Sequence, residues 1–174
     1  MRSVPPLIVM AVVLALPVSA YSREKPPAPD ACIELKPGVK APPFSIIMSD
    51  GTPGVSLAAG IRKKVPIVVN FWAYNCTGCV EELPMLQKVA TDLAGKASVM
   101  LVHAGKDEVK MKAKLAELGV KLPSASDDYK ETTRSYCVSE LPRTFVLSPS
   151  GVVQSSFALV DEAKLRAAIA AANK

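Results

Sequence analysis

Residues 66–72, Pro-Ile-Val-Val-Asn-Phe-Trp, form an almost unbroken apolar run of strand length, and helical periodicity sets in five residues after it. A run without polar alternation suits a strand buried on both faces, and such a strand needs a packed layer above and below it. Between residues 77 and 94, Leu83, Leu86, Ala90 and Leu93 fall on one helical face, and Gly95 can end the helix. A doubly buried strand feeding an amphipathic helix restricts the fold to a sheet covered by helices.

The flanking segments fit that frame. Residues 41–48, opening with Ala41-Pro-Pro-Phe44, read as a short edge strand, because proline is tolerated there, and Ser49-Asp50-Gly51 reads as a turn. Residues 98–104 predict a second buried strand. Residues 107–118 predict a helix with Met111, Leu115 and Leu118 on one face and Gly119 beyond its end. Residues 144–147, the Ser148-Pro-Ser-Gly151 turn and residues 152–159 predict a hairpin. Asp161 caps a last helix with Leu165, Ala168, Ile169 and Ala172 on its buried stripe. The order β, β, α, β, α, β, β, α predicts an α/β sheet with helices on both faces.

Composition removes several alternatives. The 174 residues suit one domain, and fifteen Pro and nine Gly without a period exclude collagen-like and repeat architectures. The net charge of +5 is spread along the chain, which gives nucleic-acid binding no support. His103 is the single histidine, which excludes a His-rich metal site and any catalysis needing two imidazoles. Four cysteines are too few to build a disulfide mini-protein and need another explanation.

The first twenty residues read as an address. Arg2 precedes an apolar run from Leu7 to Leu16, and Val18-Ser19-Ala20 is a small-x-small ending, the pattern of a secretory signal. The run is shorter than the ~20 residues a membrane-spanning helix needs. An uncleaved anchor is the alternative, and either way the remaining chain faces an oxidising compartment where disulfides persist. Residues 21–35 are a Pro-rich, charged arm, and the folded domain occupies residues 36–174.

Cys76-Thr77-Gly78-Cys79 follows the buried strand and opens the helix. At a helix N-terminus the unpaired N–H groups and the dipole stabilise a thiolate, the nucleophile of disulfide exchange. Cys79, one turn on, can attack Cys76 and release a trapped mixed disulfide. Half of a zinc site would need two more ligands from His103, Cys32 and Cys137, whose spacings match no common zinc module. A merely structural CxxC staple is the other alternative. Redox-active exchange is the reading that uses the position of the motif.

The block Asn70-Phe-Trp-Ala-Tyr-Asn-Cys-Thr-Gly-Cys-Val-Glu-Glu-Leu-Pro84, with Ala41-Pro-Pro-Phe44 before it and Leu141-Pro-Arg-Thr-Phe145 after it, resembles thioredoxin-like extracytoplasmic thiol–disulfide oxidoreductases of the TlpA, ResA and DsbE type. The resemblance runs from Lys36 to the C-terminus. It implies a thioredoxin fold and periplasmic redox activity without a cofactor. It makes Cys76 the attacking thiol, Cys79 the resolving thiol and Glu82 a carboxylate that exchanges protons with the buried thiol. Pro142 matches the family's cis-proline, and the backbone of Leu141 is then expected to bond an extended substrate segment. Trp72 is expected to shield the disulfide and offer an apolar docking surface, with a plain core role as the alternative, and Pro84 to kink the helix. Implied partners are protein disulfides and thiols, apocytochrome c and copper-site proteins among them, with a membrane-side electron donor and the protein acting as a monomer. A copper-carrying module using the same two cysteines is the rival reading. A peroxidase would need a lone peroxidatic cysteine in different surroundings.

The block departs from the family at a few positions. Asn75 stands where Trp is usual, with Tyr74 before it, so the substrate-facing rim differs. Glu140 and Arg143 place opposite charges around Leu141-Pro142, which biases partner choice. Four cysteines allow three pairings, and assigning Cys76 to Cys79 leaves Cys32 with Cys137 as a structural disulfide. A second redox relay or two buried thiols are the alternatives. His103 is expected to be a satisfied strand-end residue, and the charged face over residues 106–114 merely solvated.

Overall fold

The structure is a computed structural model that describes residues 35–173. All of these lie in the second of two contact units, Cys32–Lys174, while the first, Met1–Ala31, lies outside the described residues. The expected signal segment, most of the Pro-rich arm and Cys32 therefore also lie outside the described residues.

The apolar run forms β3 (Ile67–Trp72), whose six residues are all buried. It occupies the middle of a five-stranded sheet. On one side it pairs in parallel with β4 (Ser98–His103), which pairs in parallel with β5 (Ser124–Ser126). On the other side it pairs antiparallel with β6 (Arg143–Leu147), which forms the expected hairpin with β7 (Val153–Phe157). The sheet order is β5-β4-β3-β6-β7. A separate two-stranded hairpin joins β1 (Ser45–Ile47) and β2 (Pro53–Ser56).

The alternation of side chains along β3 divides the core. Val68 and Trp72 face one layer with Leu83, Leu86 and Val89 of α2 (Thr77–Asp92), Met111 and Leu115 of α3 (Glu108–Glu117), and Leu165 and Ile169 of α5 (Glu162–Ala172). Ile67, Val69 and Phe71 face the other layer, with Leu57 of α1 (Leu57–Arg62) and with Tyr136, just beyond α4 (Glu131–Ser135). Both faces are covered, as the predicted α/β class requires. Asn70 shares the parity of Val68 and Trp72, so this one polar residue of β3 points into the α2 layer. Asp107 and Asp161 cap α3 and α5, accepting from Lys110 N–H at 3.1 Å and Lys164 N–H at 2.8 Å.

Four short elements lie outside the sequence expectation: β2, α1, β5 and α4. Gly54 in β2 shows why the first was hidden. A Cβ there would sit 2.7 Å from Ala125 Cβ of β5 and 2.8 Å from the Ile46 carbonyl. The strand needs a residue of low strand propensity because another backbone approaches it closely.

Candidate functional site

In open α/β sheets, sites gather beyond the carboxyl ends of parallel strands. Here β3 and β4 end together, with Trp72 paired to His103. The chain leaves β3 through Ala73, Tyr74 and Asn75, and Cys76 becomes the N-cap of α2. Its Sγ accepts a hydrogen bond from the Cys79 N–H at 3.3 Å, so the sulfur lies against the unpaired amides of the helix start. Cys76 and Cys79 form a disulfide. Cys76 is partly exposed, whereas Cys79 is 1% exposed and packs with Trp72 and Leu83.

The β3–β6 register brings Pro142 to the same place. Phe71 is paired with Arg143, so Pro142 sits just past the strand end that releases the cysteine loop. The Leu141–Pro142 peptide is cis. A Cβ on Gly78 would lie 3.8 Å from Pro142 Cδ, which places the proline directly against the CxxC turn. Pro142 is buried, Leu141 half-buried, and Glu140 exposed beside them.

Glu82 lies on α2 three residues after Cys79, on the same helical face, and is only 4% exposed. Its carboxyl meets the Asn70 amide and the Thr144 hydroxyl, each donating across a long 3.5 Å contact. The Asn70 amide donates to Thr144 Oγ1 at 2.9 Å, as expected of residues paired across the β3–β6 ladder. Burial pushes the Glu82 carboxyl up to about 7, against the weaker opposing pull of the Val160 backbone, Thr144 and Asn70. With the disulfide closed, Glu82 therefore keeps its proton to near neutrality. Pro84 lies inside α2 without ending it. The neighbouring Glu81 is exposed.

Trp72 is fully buried, with its ring 5.4 Å from His103 in an edge-to-face contact. It cannot be the docking surface that the sequence suggested, because the strand parity that takes it to Cys79 also takes it out of solvent. Shielding the cysteines is what its position allows. Asn75 is exposed at the rim, in a depression of about 330 Å³ lined by Tyr74, Asn75, Cys76, Thr77, Val80 and Glu81.

Two residues near the cysteines were not singled out from the sequence. Asn70 and Thr144 hold Glu82, and the signal for both was a polar residue in an otherwise apolar buried strand. His103 does end β4, and its Nδ1 meets the Gly105 carbonyl at 3.1 Å and Ser126 Oγ at 3.3 Å. That much fits the expected strand-end role, but its Nε2 is buried and has no partner among the described residues. Its ring also stacks on Tyr74, 5.4 Å between centroids and 15° between planes. Burial depresses the imidazole's basicity, so the stacked ring is the neutral one. Because the Gly105 carbonyl can only accept, the ring proton resides on Nδ1. Cys137 is not a free thiol, while Cys32 lies outside the described residues.

Comparison with known proteins agrees with this architecture. The AhpC/TSA family pattern matches residues 37–156. The thioredoxin-like protein YneN of Bacillus subtilis is 31% identical over 125 residues, covering 70% of this chain and 71% of that protein. The thiol–disulfide oxidoreductase ResA of Bacillus subtilis is 25% identical over 120 residues, covering 68% of this chain and 65% of its own. Among solved structures, a Chlorobium tepidum protein provisionally assigned as the thiol:disulfide interchange protein DsbE superposes with a TM-score of 0.71 at 24% identity, over 80% of this chain and 99% of that one. The paired cysteines at the strand-to-helix junction thus stand in a thioredoxin-type sheet, and the chain belongs to the AhpC/TSA family.

Proposed function

We propose that Cys76 and Cys79 are the working pair of a thiol–disulfide oxidoreductase that reduces disulfides of specific partner proteins. The observation that carries this reading is the asymmetry of the pair. Cys76 Sγ is partly exposed at the helix N-terminus and accepts an amide hydrogen bond there, while Cys79 is sealed beneath it. The first environment favours an attacking thiolate. The second suits a thiol that reacts only with its neighbour.

The steps follow in order. The Cys76 thiolate attacks a partner disulfide, forming a mixed disulfide and expelling one partner sulfur as a thiolate. Cys79 gives up its proton and attacks Cys76 Sγ, releasing the second partner thiol and closing the disulfide. The protein loses two electrons and the partner gains them. Glu82, which titrates near neutrality and shares a helix face with Cys79, is the group suited to take the Cys79 proton. Pro142 and the Leu141 backbone flank the mixed disulfide and hold the partner in extended form. Asn75 lies on the rim that the partner meets.

The leader-like start of the sequence supports export to the periplasm, where a membrane-side donor restores the dithiol. The partner class proposed is that of cytochrome c maturation or copper-site assembly. Within the same reading, Cys137 pairs with Cys32 as a structural disulfide.

The test is a single turnover. Reduced, desalted protein should convert one partner disulfide to two thiols per chain, and Cys76→Ser should convert none. Tight, stoichiometric Cu(I) binding without any turnover would instead favour the copper-carrying alternative.

A further inference from the structure

The wall of the depression beside Cys76 is built by side chains that thiol exchange itself does not use. Tyr74 stacks on the buried, neutral His103, and the Lys110 ammonium lies over the Tyr74 ring, 5.5 Å from its centroid. Lys110 is itself held by the Asp107 carboxylate at 2.8 Å, so its charge is already answered. His103 is fixed from behind by Gly105 and Ser126. The Tyr74 ring is therefore supported from β4 and α3, not merely carried on a loop.

The other side of the depression is the first two turns of α2. Val80 contributes an apolar surface and Glu81 a carboxylate. Glu81 is exposed and forms no ion pair among the described residues. The lining thus combines the Tyr74 ring and Val80 with the polar Asn75 and Thr77 and the unpaired Glu81 carboxylate, all within a few residues of the sulfur expected to attack.

Resting on the oxidoreductase reading, we propose that this depression selects partner segments carrying a basic side chain next to the reacting cysteine. Tyr74 and Val80 take the aliphatic stem, and Glu81 takes the charged end. Long basic side chains combine an apolar stem with a polar head, and few other side chains match such a lining. Tyr74 serves here as a specificity-determining residue, and His103 and Lys110 as the residues that position it.

The test uses short peptides whose single cysteine is joined by a disulfide to 2-thiopyridine, with Arg, Leu, Gly or Glu next to that cysteine. Reduced protein attacks the peptide sulfur and expels thiopyridone, an uncharged chromophore, so the rate is read directly. Each rate is divided by that of 2-mercaptoethanol with the same peptide, which removes the intrinsic reactivity of the peptide. The ratio of Arg to Glu peptide within one protein also removes changes in Cys76 reactivity.

An exposed ion pair sets the scale at about fivefold in favour of Arg. Glu81→Gln should bring that ratio to within about twofold of unity. Tyr74→Ala should slow the Arg and Leu peptides relative to the Gly peptide, and Tyr74→Phe should restore them. A flat series in the unmodified protein, or a ratio that survives Glu81→Gln, overturns the proposal. If reduced protein releases no thiopyridone from any peptide, the oxidoreductase reading itself fails and takes the proposal with it.

Discussion

The Asn70 amide donates to the Thr144 hydroxyl at 2.9 Å across the β3–β6 ladder, and the two side chains together hold the buried carboxyl of Glu82. A strand pair chosen by hydrophobic burial thereby carries a polar device at one end.

Glu82 should make folding stability fall with rising pH. In the folded disulfide form its carboxyl titrates near 7, against 4.5 ordinarily. Between those values the folded chain holds a proton that the unfolded chain has lost. This stabilisation is complete below the lower value and is lost as pH rises through the upper one. The full span corresponds to roughly 3 kcal/mol. Denaturant unfolding of the oxidised protein at pH 5 and pH 8 should show that fall, and Glu82→Gln should flatten it. Equal slopes in both proteins would contradict the assignment.

Thr144→Val should cost stability without changing side-chain volume greatly. It leaves the Asn70 amide without its short acceptor and removes one donor from Glu82. A buried group left unsatisfied costs about 1–3 kcal/mol. Thr144→Ser keeps the hydroxyl and should recover most of the loss. Because that hydroxyl draws the Glu82 carboxyl down, Thr144→Val should also move the pH-dependent fall to higher pH.

Gly78→Ala should separate stability from activity. The added methyl would be in ordinary contact with Pro142 at 3.8 Å, so the fold accommodates it. Replacing a helical glycine by alanine stabilises by up to about 1 kcal/mol. The same methyl narrows the gap between the CxxC turn and Pro142, where the partner segment is proposed to lie. Melting temperature should rise while the rate of protein-disulfide reduction falls. A parallel rise of both would place the partner elsewhere.

Equilibration with dithiol buffers should put the Cys76–Cys79 couple toward the reducing end of its class, near about −270 mV. A value near about −120 mV would mark an oxidant and reverse the proposed direction of electron flow.

The sheet was legible where segments were long and strongly patterned. β3, β4, α2, α3, the β6–β7 hairpin and α5 each bury a recognisable stripe, and their ends carry capping residues such as Asp107 and Asp161. The missed elements span three to six residues each. Such lengths show no period, and tertiary contact decides them, as Gly54 against Ala125 illustrates. The cysteines were legible through their position after β3. The cis state of Pro142 was legible only through resemblance, since nothing local to Leu141-Pro142 distinguishes it from a trans edge proline. His103 and Tyr74 stand 29 residues apart in the numbering and meet only because β3 and β4 are parallel and end in register. For Trp72 the sequence left shielding, docking and a plain core role open, and strand parity decides for burial.

Competition between the two thiols for an alkylating agent distinguishes an attacking Cys76 from a pair of equivalent thiols. Reduced protein treated with limiting iodoacetamide near neutral pH, then mapped by mass spectrometry, should carry the label on Cys76 at least tenfold faster than on Cys79. Equal labelling, or faster labelling of Cys79, would contradict the account.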